Sequence, residues 1–296
     1  MSKRILVSAL ALIMVVSLVG CGSKTKKVVV ASKPMTEQYI LAEMITSLIE
    51  ENTDIEVEKK LGIGGGTSNI QPAMIKGEID IYPEYTGTGW LFVLKKELIR
   101  DPVKLYEEVK KEYSSKYAIK WLGLYGFNDT YALAMKKSVA DKLNINTYSD
   151  LASKSDSLKL GSEPDFYERE DGYKGLVTEY GFKFKEKVEI DIGLKYEAIN
   201  SDNVDVINAF STDALLKKYD LKVILDDKNF FPSYLATTLI REETLKKYPE
   251  LESVLNVLQG RISDEEMTKM NYLVDGEKKD PKDVAVEFLK AKGLLK

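Results

Sequence analysis

Apolar and polar positions in this chain follow a strand-then-helix rhythm. Lys27 to Ala31 is a valine run that reads as a buried strand. Ser32 offers a helix cap, Pro34 a first-turn proline, and Met35 to Glu50 carries apolar residues at helical spacing. Ile55 and Val57 alternate with charges as a half-buried strand, and Leu61 to Gly77 is a glycine-rich turn feeding a helix that stops at Gly77. Ile79 to Tyr82 predicts a short strand, Tyr85 to Leu94 an apolar helix, and Pro102 to Lys116 an amphipathic one. This alternation is the pattern of a parallel α/β sheet.

A second alternation runs from about Thr130 to Tyr234. Its strands are expected near Tyr131–Met135, Lys159–Leu160, Val188–Ile190, Asp205–Phe210 and Lys222–Leu225. From Thr244 the pattern is helical: Leu245–Tyr248, Leu251–Gln259, Ser263–Val274 and Pro281–Ala291, with Ser263 and Glu266 spaced as a capping box. The simplest architecture is α/β, with two lobes and a helical tail returning to the first. Lobe I then takes residues 28–128 and 235–296, and lobe II residues 129–234. The chain would cross between them near Gly126–Thr130 and Pro232–Ala236, leaving a cleft suited to a small ligand.

Cys21 is the one cysteine in 296 residues. It follows an apolar run, Ile5 to Leu18, headed by Lys3 and Arg4, inside the string LVGCGS. A basic start, a short apolar stretch and small residues at a cut site describe a secretory signal over residues 1–20. The Leu-Val-Gly-Cys ending resembles that of bacterial lipoproteins, whose cysteine carries the lipid. The expectation is therefore a chain held by Cys21 at the outer face of the cytoplasmic membrane, with residues 21–27 as a tether.

Loss of residues 1–20 would remove two positive charges and move the formal net charge from −4 to −6. That acidic balance argues against nucleic acid as a partner. There is no histidine, so Ser-His, Cys-His and His-ligated metal chemistry are closed. No metal or cofactor is expected, and binding is favoured over catalysis. Paired carboxylates such as Glu84 and Asp129 leave an exported hydrolase as the alternative from another class. Gly64–Gly66 lacks the Gly-Lys-Ser/Thr of a phosphate-binding loop and reads as a tight turn lining the cleft.

The strings ASKPMTEQYILAEM (Ala31 to Met44), GIGGGTSNIQPAMIKGEIDIYPEYTGTGW (Gly62 to Trp90) and GFNDTYALAM (Gly126 to Met135) resemble the osmoprotectant-binding lipoproteins of bacterial ABC importers. The tail from Ser263 does so too. The resemblance implies a two-lobed periplasmic-binding-protein fold of type II and a ligand such as glycine betaine, carnitine or choline. It further implies a permease and its ATPase as partners, with the receptor itself a monomer. By position, Tyr85, Tyr131 and Tyr234 match cage tyrosines, and a fourth falls at Phe210, which keeps the ring and drops the hydroxyl. Asp129 matches a residue completing the box, and Lys33, Thr88 and Arg169 match residues that hold a ligand carboxylate.

That residue set suits a quaternary ammonium, which has no hydrogen to donate. Aromatic faces supply apolar contact and a negative quadrupole, about 0.5–2 kcal/mol each. A carboxylate at the other end would need a planar two-donor fork from Arg169, a charge from Lys33 and a hydroxyl from Thr88. On this reasoning carnitine or glycine betaine is favoured over choline, while a negative Asp129 would favour choline. Taken singly, each of these side chains also reads as core or as a solvated surface group. A receptor of the same fold for an ordinary amino acid would leave the aromatic set without a purpose.

Overall fold

The computed structural model describes residues 26–296; the leader, Cys21 and most of the tether lie outside the described residues. Ten strands form two five-stranded sheets. The first has the order β2-β1-β3-β10-β4, with β1 Lys27–Ala31, β2 Glu56–Lys60, β3 Ile81–Tyr85, β4 Ile119–Trp121 and β10 Ala236–Arg241. The second has the order β7-β6-β8-β5-β9, with β5 Tyr131–Lys136, β6 Lys159–Ser162, β7 Glu186–Glu189, β8 Val206–Phe210 and β9 Leu221–Ile224.

The expectation of parallel sheets is corrected: both are mixed. β1 runs parallel to β2 and β3, but β10 is antiparallel to β3 and β4. In the second sheet β6 is parallel to β7 and β8, and β5 is antiparallel to β8 and β9. The reason is topological. β5 and β10 are the strands that follow the two passages between sheets, so each enters its new sheet at the cleft edge and runs away from it. The two passages lie side by side, paired by a bridge between Asn128 and Leu235 and by Asp129 N–H donating to Tyr234 O at 3.0 Å.

The helix Thr36–Asn52 packs its apolar side into the first lobe's core, where Ile40, Leu41, Met44 and Leu48 are fully buried. Val284 and Leu289 of the helix Pro281–Ala291 join that same core. The capping box forms as expected, Ser263 accepting from Glu266 N–H while Glu266 accepts from Ser263 N–H. Ser32 does not cap the first helix: its Oγ accepts from Gly62 N–H at 3.0 Å and pins the glycine-rich turn beside β1. Tyr85 ends β3 rather than opening a helix, and Thr88–Val93 is a π-helical turn closed by Leu94 N–H on Gly89 O at 3.1 Å. Such widened turns occur often where a side chain must be re-aimed toward a site.

A Cβ on Gly89 would lie 2.5 Å and 2.7 Å from two ring carbons of buried Trp121, so this turn admits no side chain there. Gly89→Ala is expected to lower unfolding free energy by about 1–3 kcal/mol, read by urea denaturation. An unchanged midpoint would show that the ring yields.

Candidate ligand-binding site

Between the two sheets lies a cavity of about 400 Å³, within the range of small-molecule sites. All eight side chains singled out in the sequence line it. Lys33 follows the carboxyl end of β1, Tyr85 ends β3, and Thr88 sits in the π-helical turn. Asp129 and Tyr234 lie on the two passages between sheets. Tyr131 opens β5, Phe210 ends β8, and Arg169 caps the short helix Pro164–Glu168 after β6. Carboxyl ends of parallel strands and the amino end of an antiparallel neighbour share one sheet edge, so both sheets turn these residues toward a common cleft.

Tyr131 is the centre of the aromatic set. Its partner across the β5–β8 ladder is Phe210, and their ring centroids are 5.1 Å apart. Tyr234 meets the Tyr131 ring edge-on at 5.4 Å. Phe166 and Phe231, which the sequence reading did not single out, support Tyr131 at 5.3 and 5.7 Å. Tyr85 donates its hydroxyl to Glu37 Oε1 at 2.6 Å. Burial holds the phenols of Tyr85, Tyr131 and Tyr234 well above their ordinary range, so all three stay neutral.

The cations are already paired. Lys33 Nζ donates to Glu84, whose carboxylate also accepts from Thr67 Oγ1 at 2.8 Å, Tyr82 hydroxyl at 3.1 Å and Tyr85 N–H at 2.8 Å. Arg169 is 2% exposed and spends its fork on Asp171, Nε donating at 2.9 Å and Nη2 to the second oxygen. Tyr234 hydroxyl donates to that same Asp171 oxygen at 2.8 Å, and Arg169 Nη1 stands 3.6 Å from Asp165. The two-donor fork expected to face a ligand is thus taken by the protein. Each cation and its carboxylate form a neutral unit, and the positive charges alone no longer demand an anionic ligand end.

Rings and cations also meet face to face. Lys33 Nζ lies 4.8 Å from the Tyr85 centroid, Arg169 Cζ 5.5 Å from Tyr131 and 4.6 Å from Phe92, and Lys195 Nζ 4.4 Å from Phe210. The carboxylates bonded to Lys33 and Arg169 offset those charges at their rings, whereas Lys195 has its nearest acid oxygen, on Asp213, at 3.8 Å.

Of the acids behind the cleft, the sequence singles out Asp129 but not Glu37 or Asp171. Asp129 is 4% and Glu37 2% exposed, and Thr212 Oγ1 lies 2.8 Å from Asp129 Oδ1 and 2.7 Å from Glu37 Oε2. Burial pushes Glu37 up to about 7, and burial with the charges of Glu37 and Asp213 pushes Asp129 up as well. Glu37 was detectable in principle, because it falls in the apolar stripe of its helix, three and four residues before Ile40 and Leu41. Asp171, two residues from Arg169, had no such signal. The other member of the suspected carboxylate pair, Glu84, is fully buried with both oxygens engaged, which leaves it nothing to do as an acid or base. Among the described residues no cluster of acidic or thiol groups could hold a metal.

Residues 26–291 match the family described as the substrate binding domain of ABC-type glycine betaine transport systems. The chain is 47% identical over 269 residues to the ergothioneine transport permease/ergothioneine binding protein EgtU of Helicobacter pylori, covering 91% of this chain. It spans 48% of that relative's length. It is 39% identical over 276 residues to the carnitine transport binding protein OpuCC of Listeria monocytogenes, covering 92% of this chain and 89% of that one. A crystal structure of a glycine betaine/carnitine/choline ABC transporter superposes with a TM-score of 0.71 at 36% identity, covering 90% of this chain and 99% of the other. The fold is that of the type II periplasmic binding proteins, and the chain belongs to the substrate-binding family of glycine betaine-type ABC transport systems, a family of solute receptors and not of enzymes.

Proposed function

We propose that this receptor grips the trimethylammonium group of a zwitterion against Tyr85, Tyr131, Phe210 and Tyr234. The single observation that carries the reading is the Tyr131 cluster, with the Phe210 and Tyr234 rings each within 5.4 Å of the Tyr131 ring on the wall of a cavity that also holds Lys33, Thr88 and Arg169. A permanently charged, fully methylated nitrogen gains from ring faces what it cannot gain from hydrogen-bond acceptors. The far end of the ligand meets the free N–H groups of Lys33 and Arg169 and the Thr88 hydroxyl. Because both cations are neutralised by Glu84 and Asp171, this end selects by hydrogen-bond geometry more than by charge. Ligand contacts on both lobes then favour the form that an ABC permease and its ATPase receive.

Carnitine and glycine betaine follow from the cage and the polar end. Ergothioneine, also a trimethylammonium carboxylate, is the second reading. The name of the Helicobacter relative raises it, and the cavity wall offers acceptors for its ring N–H groups in Glu163, Asp165 and Asp191. Choline, which lacks the carboxylate, is the contrasting ligand. We further propose a monomer held by lipid on Cys21 outside the cytoplasmic membrane; among the described residues no helix is long and apolar enough to cross it.

Tyr131→Ala is expected to weaken binding of the preferred ligand at least tenfold in calorimetry run with carnitine, glycine betaine, ergothioneine and choline side by side. Unchanged affinity would remove the cage. Arg169→Ala should cost the carboxylate ligands more than choline, and should also lower stability by about 3–5 kcal/mol through stranded Asp171; equal losses for all four ligands would remove the polar-end assignment. Cys21→Ala is expected to shift the protein from the membrane to the soluble fraction of fractionated cells, and retention on the membrane would count against lipidation there.

A further inference from the structure

Thr212 stands between two buried carboxyl groups with one proton to give. Its Oγ1 is 2.7 Å from Glu37 Oε2 and 2.8 Å from Asp129 Oδ1, both true hydrogen-bond distances. A hydroxyl can donate to one of them only. The other contact holds if that carboxyl is itself protonated and donates to the hydroxyl oxygen. If Thr212 donates to Glu37, Asp129 carries the proton; if it donates to Asp129, Glu37 does. With both acids ionised, two negative charges on residues at most 4% exposed would face each other across one hydroxyl.

The three residues come from different parts of the fold. Glu37 belongs to the first-lobe helix Thr36–Asn52, Asp129 to the first passage between sheets, and Thr212 to the second lobe just beyond β8. Asn271, on the tail helix Asp264–Asp275 of the first lobe, adds Nδ2 donating to Thr212 O at 3.1 Å and to Glu37 Oε2 at 3.3 Å. Of these bonds, Thr212 to Glu37 and Asn271 to Thr212 O join the two lobes and exist only while the lobes are together. At its other end the chain reaches the ligand wall, where Tyr85 hydroxyl donates to Glu37 Oε1.

We propose that Glu37 is a positioning residue whose shared proton with Asp129 latches the lobes together and sets the Tyr85 wall, so that ligand binding takes up a proton. The groups facing the pair are consistent with that. Asp213, from the second lobe, and each acid of the pair disfavour ionisation of the other; Lys195, also of the second lobe, favours it at Asp129; Asp275, Tyr196 and Tyr85 complete the ring of titratable neighbours. Burial outweighs the hydrogen bonds from Tyr85, Thr212 and Asn271 and moves Glu37 from its ordinary 4.5 to about 7. With the lobes apart, Glu37 meets water and returns toward the lower value. An acid whose affinity for protons is higher in the joined form favours that form at low pH. The advantage falls as pH rises through the window from 4.5 to about 7 and is gone above it. A ligand ammonium beside Asp129 keeps that carboxylate ionised and leaves the proton on Glu37.

The inference relies on the receptor reading for its probe and on the Thr212 geometry for its substance. With carnitine as probe, calorimetry in buffers of different ionisation enthalpy is expected to read uptake of up to one proton per binding event near pH 6. Affinity should fall by up to about tenfold per pH unit within the window and level off above it. In Glu37→Gln the amide can donate to Thr212 and accept from Tyr85 at every pH, so the profile should flatten and the uptake vanish; Asp129→Asn is the companion variant if that one misfolds. Binding without proton uptake in the wild type, or uptake that persists in the amide variant, overturns the proposal. Should carnitine fail to bind, the ligand-free protein decides by small-angle scattering. Its radius of gyration should be smaller at pH 5 than at pH 8 in the wild type alone, and a radius independent of pH would overturn the latch while leaving the choice of ligand to the panel above.

Discussion

Charge taken out of water governs this cleft. Lys33, Glu84, Arg169, Asp171, Glu37 and Asp129 are each at most 8% exposed, where an unpaired ion costs several kcal/mol. The structure meets that constraint in two ways. Lysine and arginine are each matched to a carboxylate, and the two surplus acids are joined through one hydroxyl. The arrangement of rings, turns and passages around the cavity follows from keeping those partners in contact.

One consequence concerns what the proposed cage can recognise. Three of its four rings already have a protein cation within 5.5 Å. A ring between two cations would hold neither well, so the carboxylates behind Lys33 and Arg169 matter to the ligand although they need not touch it. Lys195 differs: its nearest acid oxygen, on Asp213, is 3.8 Å away, and its Nζ has no hydrogen bond. Phe210, which Lys195 faces, is therefore the proposed wall whose facing cation is least offset by an acid. Enclosure has a second effect. Salt shortens the reach of exposed charges far more than that of buried ones, so interactions inside the cleft are less screened than those on the surface.

The topology and the chemistry are linked through the passages between sheets. Asp129 and Tyr234 are on these paired segments, and β5 and β10 leave them to run antiparallel within their sheets. Tyr131 therefore sits at the first position of a strand whose neighbour ends at Phe210, which sets two rings side by side at the cleft edge. If these residues touch the ligand as proposed, contact with it has a direct path to movement of one lobe against the other.

Much of this was legible in one dimension. Valine runs, helical spacing and the capping box at Ser263 marked most elements, because local periodicity and capping are short-range effects. The eight residues singled out through the resemblance do line one cavity. β4 and β10 were not legible, nor was the antiparallel pairing, since a strand's direction depends on where the chain re-enters a sheet. Ser32 was read as a cap from its position, whereas its hydroxyl serves Gly62, thirty residues away. Above all, the sequence by itself determined which side chains could meet a ligand. Tertiary structure alone decided that Arg169 and Lys33 arrive already neutralised and that Glu37 and Asp129 share a hydroxyl, because charge pairing depends on distances in space and those residues lie far apart along the chain or carry no local signal.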